Sequence, residues 1–167
     1  LVVLFFMKAL FLDRDGTLFQ NTHYLIEYSD VSWLPGTLFV LKEMQRKGYL
    51  ILGVSNQSGI GRGYFTTTQV TTLHNQLIYD LKRFGIYCPE IHFCPHRPDE
   101  NCICRKPKPH MLYELAKKYN LNLKESIMIG DKPSDVQCGN SAGVQSYQLH
   151  PNHFEWMHWW NKVGQFI

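Results

Sequence analysis

Apolar residues along this chain fall into two spacings. Short, mostly apolar runs at 8–12, 50–54, 91–93 and 126–129 have the length of buried strands, and the more polar 144–149 offers a fifth. Between them the spacing changes to that of a helix face. Leu38, Leu41 and Met44 form one stripe, and Gly48 can end it. Val70, Leu73, Leu77, Ile78 and Leu81 form another, entered through Thr66-Thr-Thr-Gln69, which resembles a capping box. Leu112, Leu115, Ala116 and Tyr119 make a third behind Pro109, a residue suited to a first helical turn. A short helix is expected from Asp131 to Ala142-Gly143. Residues 152–163 predict a terminal helix, with Asn152-x-x-Glu155 as its capping box. Trp156, Trp159, Trp160 and Val163 share one face there, expected to pack on the chain's own core, with a partner or dimer surface as the alternative.

Strands alternating with helices imply an α/β fold with a doubly wound parallel sheet. Ligands of such sheets bind outside the carboxyl ends of the strands, near the switch in strand order. Asp13, Ser55 and Asp131 each fall at or just past such an end, so they are expected to share one cleft. Residues 13–35 form a loop-rich excursion closed by Pro35-Gly36, and Gly59-Ile-Gly61-Arg-Gly63 is a glycine-rich segment after the second strand. Internal repeats and linkers are absent, so residues 1–167 are expected to form a single domain.

Composition narrows the classes. A chain of 167 residues can bury roughly 70% of its unfolded surface and needs no disulfides to hold a core. The net charge of +3 suits an anionic substrate but does not mark a nucleic-acid binder. Residues 1–12 are apolar apart from Lys8, a run too short to span a bilayer and without a basic leader or cleavage site. Met7 is a possible natural start. Three of the five cysteines fall between Cys94 and Cys104, a clustering that favours metal and a reducing, cytoplasmic compartment over a disulfide framework.

Two segments carry chemistry. Asp13 and Asp15 bracket one residue at a strand end that opens into Gly-Thr. One carboxylate can attack a phosphoester while the other protonates the leaving alkoxide, and magnesium can offset the anionic charge. The alternative is a solvated Asp-x-Asp turn. Downstream, Cys94, His96, Cys102 and Cys104 offer four ligands with no open position, as structural tetrahedral zinc requires. The alternative there is a loop of free thiols. Zinc in the 94–107 loop would hold Arg105 and Lys106 beside the cleft.

Asp13-Arg-Asp15-Gly-Thr17 resembles the first motif of the haloacid dehalogenase-like hydrolases. Ser55 is similar to their second motif, Lys106 to the basic third, and Gly130-Asp131 with Asp135 to the acidic fourth, in the expected order from residue 8 to about 149. The resemblance implies that family's Rossmann-like fold, without a separate cap domain. It also implies Asp13 as nucleophile and Asp15 as general acid and base. Magnesium would be held by Asp13, the Asp15 carbonyl and Asp131, and the transferring phosphoryl group by Ser55, Asn56, Gln57 and Lys106. Thr17, Lys132 and Asp135 would support the site. The cysteine loop resembles that of the D-glycero-D-manno-heptose 1,7-bisphosphate 7-phosphatases and of the bacterial histidinol-phosphatases. Ser55-Asn-Gln-Ser-Gly-Ile-Gly-Arg-Gly63 and Arg105-Lys-Pro-Lys-Pro109 favour the heptose enzymes, although His110 replaces their usual glycine. Arg62 and backbone amides of the glycine-rich segment would then hold the sugar or its second phosphate.

The expected partner is thus a small phosphorylated sugar, handled by a monomer or weak homo-oligomer. Histidinol phosphate, a DNA 3′-phosphate end, and a non-catalytic zinc-stabilised binding module are the competing readings. Weak net charge and the zinc loop oppose the second, and the intact acidic and basic residues oppose the third. His23 and Tyr24 are expected in the cleft wall.

Overall fold

The computed structural model describes residues 7–150 and 155–167. Five strands, β1 (Lys8–Leu12), β2 (Tyr49–Asn56), β3 (Ile91–Cys94), β4 (Ile127–Gly130) and β5 (Gln145–Gln148), pair in parallel in the order β3-β2-β1-β4-β5. The chain moves outward from β1 through β2 to β3, then returns to β1's other side for β4 and β5. That reversal opens a crevice at the carboxyl ends of β1 and β4. Leu12 lies opposite both Gly53 and Ile129, and the Asp13 backbone N–H donates to the Ile129 carbonyl at 3.0 Å. Asp13 therefore leaves β1 beside the Gly130-Asp131 turn.

Among the described residues six α-helices connect or flank the strands: α1 (Thr37–Arg46), α2 (Ser58–Gly61), α3 (Thr67–Arg83), α4 (His110–Tyr119), α5 (Pro133–Ser141) and α6 (Glu155–Lys162). Alternation along β1 divides the core in two. Leu10 and Leu12 meet the apolar stripes of α1 and α3 together with Trp156 and Trp159 of α6. Ala9 and Phe11 face Met111, Leu112 and Leu115 of α4 and Cys138 of α5. Each fully buried leucine contributes roughly 1.5–3 kcal/mol of transfer free energy, which is why the helical stripes dictate which faces turn inward.

The capping box before α3 is formed, the Thr66 hydroxyl accepting from the Gln69 N–H and the Gln69 side chain accepting from the Thr66 N–H. The corresponding motif at Asn152 lies outside the described residues, as do residues 1–6. β2 runs two residues past the predicted Val54 because Ser55 and Asn56 pair with Phe93 and Cys94, which keeps Ser55 at the strand's carboxyl end. The glycine-rich segment opens in the short helix α2, in which Gly59 lets the Phe65 ring approach so closely that a Cβ would lie 2.2 Å from it. No insert among the described residues forms a separate cap domain. The 13–35 excursion is folded on itself through the bridges Asp15–Phe19 and Phe19–Trp33, and Leu18, Phe19 and Leu25 pack it into the core with Leu10 and Leu12 of β1. No described helix is long and apolar enough to cross a membrane.

Candidate active site

The end of β1 and the end of β4 bring three carboxylates and one ammonium together. Lys106 is almost wholly buried, and its Nζ touches Asp13 Oδ1 at 2.6 Å, Asp135 Oδ1 at 2.7 Å and the Val54 carbonyl at 2.7 Å. Three N–H groups meet three acceptors. Burial alone would lower the Lys106 pKa, but the charges of Asp13 and Asp135 outweigh it and raise the value. Lys106 reaches this position because its backbone is clamped by Asn56, whose side chain donates to the Lys106 carbonyl and accepts from the Lys106 N–H, both at 3.1 Å. Asn56 thus positions Lys106. With all its donors committed, Lys106 orients Asp13.

Asp131 and Asp135 complete the cluster with Asp13, one ligand atom from each lying within 4.8 Å of the others. Asp135 is held by Lys106 and by the Lys132 N–H at 3.0 Å, at the start of α5. Asp13 Oδ2 and Asp131 Oδ1 are buried with no hydrogen-bond partner. Burial first, and the Asp13 charge next, push the Asp131 carboxyl from 3.8 up to about 7. The folded chain then holds this proton more tightly than the unfolded chain. Stability from this source falls as pH rises from about 4 through about 7. Two orphaned carboxylate oxygens in one buried cluster fit a hard divalent cation, which would relieve that repulsion. Gly16 makes room for the arrangement. Its φ is +86°, and a Cβ there would lie 2.5 Å from Asp131 Oδ2.

The Asp15 carboxylate sits outside this cluster. It is gripped by Arg14, with Nη2 at 2.9 Å from Oδ1, and by Gln57 Nε2 at 2.9 Å from Oδ2. Arg14 is fully buried and also donates to the Leu25 carbonyl, Gln57 Oε1 and His74 Nε2. Because the guanidinium can only donate, His74 Nε2 must accept, so the ring is neutral. Burial, reinforced by the Arg14 charge, lowers the His74 pKa to about 3. Arg14 and His74 were not expected from the sequence. An arginine between two acids reads as solvated, and only its burial shows it to be the frame that aims Asp15.

Gln57 also donates to Ser55 Oγ at 2.8 Å, which leaves the Ser55 hydroxyl proton for another acceptor. A cavity of about 170 Å³ opens over Asp15, Asn56, Gln57, Ser58 and Lys132, walled by Asn21, His23 and Tyr24. Tyr24 packs edge-on to Tyr64 at 5.0 Å. Arg62 and Arg105 do not line this cavity. Arg62 is exposed, and Arg105 donates to the His96 carbonyl at 3.1 Å. The expected anchoring by amides of the glycine-rich segment is corrected for 60–64. Those five N–H groups already donate within the segment or to Pro95.

Cys94, His96, Cys102 and Cys104 converge as the spacing predicts. Sγ of Cys104 lies 3.1 Å from that of Cys94 and 3.3 Å from His96 Nδ1, and Sγ of Cys94 lies 3.5 Å from that of Cys102. Burial raises the Cys94 thiol pKa, and the neighbouring Cys104 adds to it. Three sulfurs and one imidazole nitrogen gathered around a point are the donor set of a closed tetrahedral zinc site. The loop is tied to the cleft by Gln57 N–H to Cys94 O at 2.8 Å and Gly61 N–H to Pro95 O at 3.0 Å.

Comparison with known proteins agrees with this geometry. A family model described as "HAD-hyrolase-like" matches residues 103–150. The D-glycero-beta-D-manno-heptose-1,7-bisphosphate 7-phosphatase of Helicobacter pylori is 42% identical over 143 residues, covering 85% of this chain and 83% of that protein. The D-glycero-alpha-D-manno-heptose-1,7-bisphosphate 7-phosphatase of Photorhabdus laumondii is 38% identical over 145 residues, covering 83% of this chain and 79% of that protein. Among solved structures, the D,D-heptose 1,7-bisphosphate phosphatase of B. bronchiseptica, complexed with magnesium and phosphate, superposes with a TM-score of 0.79 at 29% identity, covering 91% of this chain and 87% of its own.

Proposed function

Because the chain belongs to the heptose-1,7-bisphosphate 7-phosphatase family of haloacid dehalogenase-like hydrolases, we propose that it removes the 7-phosphate of D-glycero-D-manno-heptose 1,7-bisphosphate. It is a phosphoric monoester hydrolase. The observation that carries the site assignment is the buried cluster of Asp13, Lys106, Asp131 and Asp135 at the sheet's switch point.

Lys106 fixes one oxygen of Asp13, so the carboxylate is oriented before substrate arrives. Asp13 attacks phosphorus, the bond from phosphorus to the sugar oxygen breaks, and the departing alkoxide takes a proton from Asp15. Water then attacks the aspartyl-phosphate, gives its proton to Asp15, and releases inorganic phosphate with Asp13 regenerated. Arg14 and Gln57 keep Asp15 over the cavity through both proton transfers. The Ser55 hydroxyl and Lys132 face the transferred group, while exposed Arg62 is available to the second phosphate. Magnesium, held by Asp13, Asp131 and the Asp15 carbonyl, would supply charge neutralisation on the transferring phosphoryl group. Zinc on Cys94, His96, Cys102 and Cys104 would brace the loop that delivers Lys106. The enzyme is expected to work in the cytoplasm as a monomer or weak homo-oligomer, serving lipopolysaccharide or related glycan precursors.

Steady-state kinetics on heptose bisphosphate, histidinol phosphate and a DNA 3′-phosphate test the substrate. The highest kcat/KM is expected for the heptose, and a clear preference for histidinol phosphate would overturn the assignment. Elemental analysis should find about one tightly held zinc per chain, on the four-ligand logic. Chelation should then loosen the 94–107 loop and weaken substrate binding in a way that added magnesium does not repair. Zinc-free protein with Cys102 and Cys104 freely alkylated in the native state would exclude the zinc site.

A further inference from the structure

The tryptophan-rich α6 reaches the catalytic loop directly. Trp156 is 1% exposed, and its indole N–H donates to the Thr17 carbonyl at 2.7 Å across 139 residues of sequence. That carbonyl belongs to the turn leaving Asp13. Within the turn, the Arg14 carbonyl accepts from the Thr17 N–H at 3.4 Å and from the Leu18 N–H at 3.0 Å, and the Gly16 N–H donates to the Phe19 carbonyl at 2.9 Å. The Thr17 carbonyl accepts no backbone N–H among the described residues, so the indole is what satisfies it.

We propose that Trp156 is a positioning residue, a strut from α6 that holds the Asp15-Gly16-Thr17 turn against Asp131. The tolerance there is small. Gly16 lies so near Asp131 that a Cβ there would come within 2.5 Å of Asp131 Oδ2, so the turn has little room to move toward that carboxylate. The strut is itself braced. Gly36, at φ +84°, brings the start of α1 against Met157 and Trp156, where a Cβ would lie 2.9 Å from Met157 Cγ and 3.4 Å from Trp156 Cβ. α6 supplies its own control in Trp159. That indole is also buried, at 5% exposure, but its nitrogen has no hydrogen-bond partner among the described residues. Phenylalanine at either position removes the same atoms, and only at 156 does it remove a bond.

The inference rests on the phosphatase reading for its kinetic and magnesium arms, and the exchange arm stands without it. Trp156→Phe is expected to lower kcat about tenfold, equivalent to about 1.4 kcal/mol of barrier, with KM within about twofold. Trp159→Phe should leave both near wild type. Amide hydrogen exchange, which needs no substrate, should run faster at Thr17 and Leu18 in Trp156→Phe while the β1 amides stay protected, and should be unchanged there in Trp159→Phe. In the wild-type protein, titration with magnesium alone should shift the Trp156 indole N–H resonance and leave that of Trp160 in place. This holds the test open if Trp156→Phe fails to fold. Equal kcat and equal exchange in the two variants, or a Trp156 resonance unmoved by magnesium that does shift the Asp131 and Gly16 amides, would overturn the strut. Absence of heptose bisphosphate hydrolysis in wild type, with the exchange and magnesium results as expected, would instead count against the substrate.

Discussion

Asp13→Asn is expected to lower kcat by at least about a thousandfold with the fold preserved, because an amide cannot form the aspartyl ester on which the two-step reaction depends. The side chain keeps its shape, and its carbonyl oxygen can still accept from Lys106. The ammonium also retains Asp135 and the Val54 carbonyl, so no buried cation is stranded. The substitution removes the charge that raises the Asp131 pKa alongside burial. Metal-free stability should therefore hold or rise slightly at pH 8, where that repulsion is fullest. Single-turnover hydrolysis and urea unfolding in a chelator measure the two effects separately. Turnover close to wild type would remove Asp13 from the chemistry, whereas lost turnover with a lost fold would show that Asp13 is structural.

Lys106→Met should damage both activity and stability. It leaves Asp13, Asp131 and Asp135 in one buried cluster with no ammonium among them. Breaking a buried ion pair by deleting one partner typically costs about 3–5 kcal/mol. Loss of Asp13's orientation should cost about a hundredfold or more in kcat, by the same reasoning that makes preorganised geometry worth several kcal/mol. The stability defect should depend on pH. Asp135 is already raised by burial and by the Asp13 charge, with Lys106 opposing the rise, so its pKa climbs further when Lys106 is gone. A carboxyl whose folded pKa is raised destabilises the fold increasingly as pH climbs through that value. Urea unfolding in a chelator should thus show a large defect at pH 8 and a smaller one at pH 5.5. An identical defect at both values would show that lost packing dominates over charge.

Much of the architecture was legible because its signals are local. The four mostly apolar runs, the fifth short strand and the stripes of α1, α3 and α4 appear near where the sequence puts them, and the Thr66 capping box forms as written. The cysteine cluster was legible for the same reason, since its ligands lie within eleven residues. What the chain order concealed depends on pairing between distant segments. β2 extends to Asn56 because β3 lies beside it, and that extension puts Asn56 where it clamps Lys106. Arg14 and His74 are 60 residues apart and carry no shared spacing that could mark them as a pair.

By itself, the order of residues determined the α/β class, the acidic motif after the first strand, and the four candidate ligands of the loop. These follow from spacings of a few residues, which backbone geometry converts directly into faces and turns. Tertiary structure alone decided that Asp135 joins Asp13 around Lys106, that Asp15 faces Arg14 and Gln57 rather than the other carboxylates, and that an indole 139 residues away holds the Thr17 carbonyl. Burial and charge act through distances in space, and the sheet's return past β1 sets those distances.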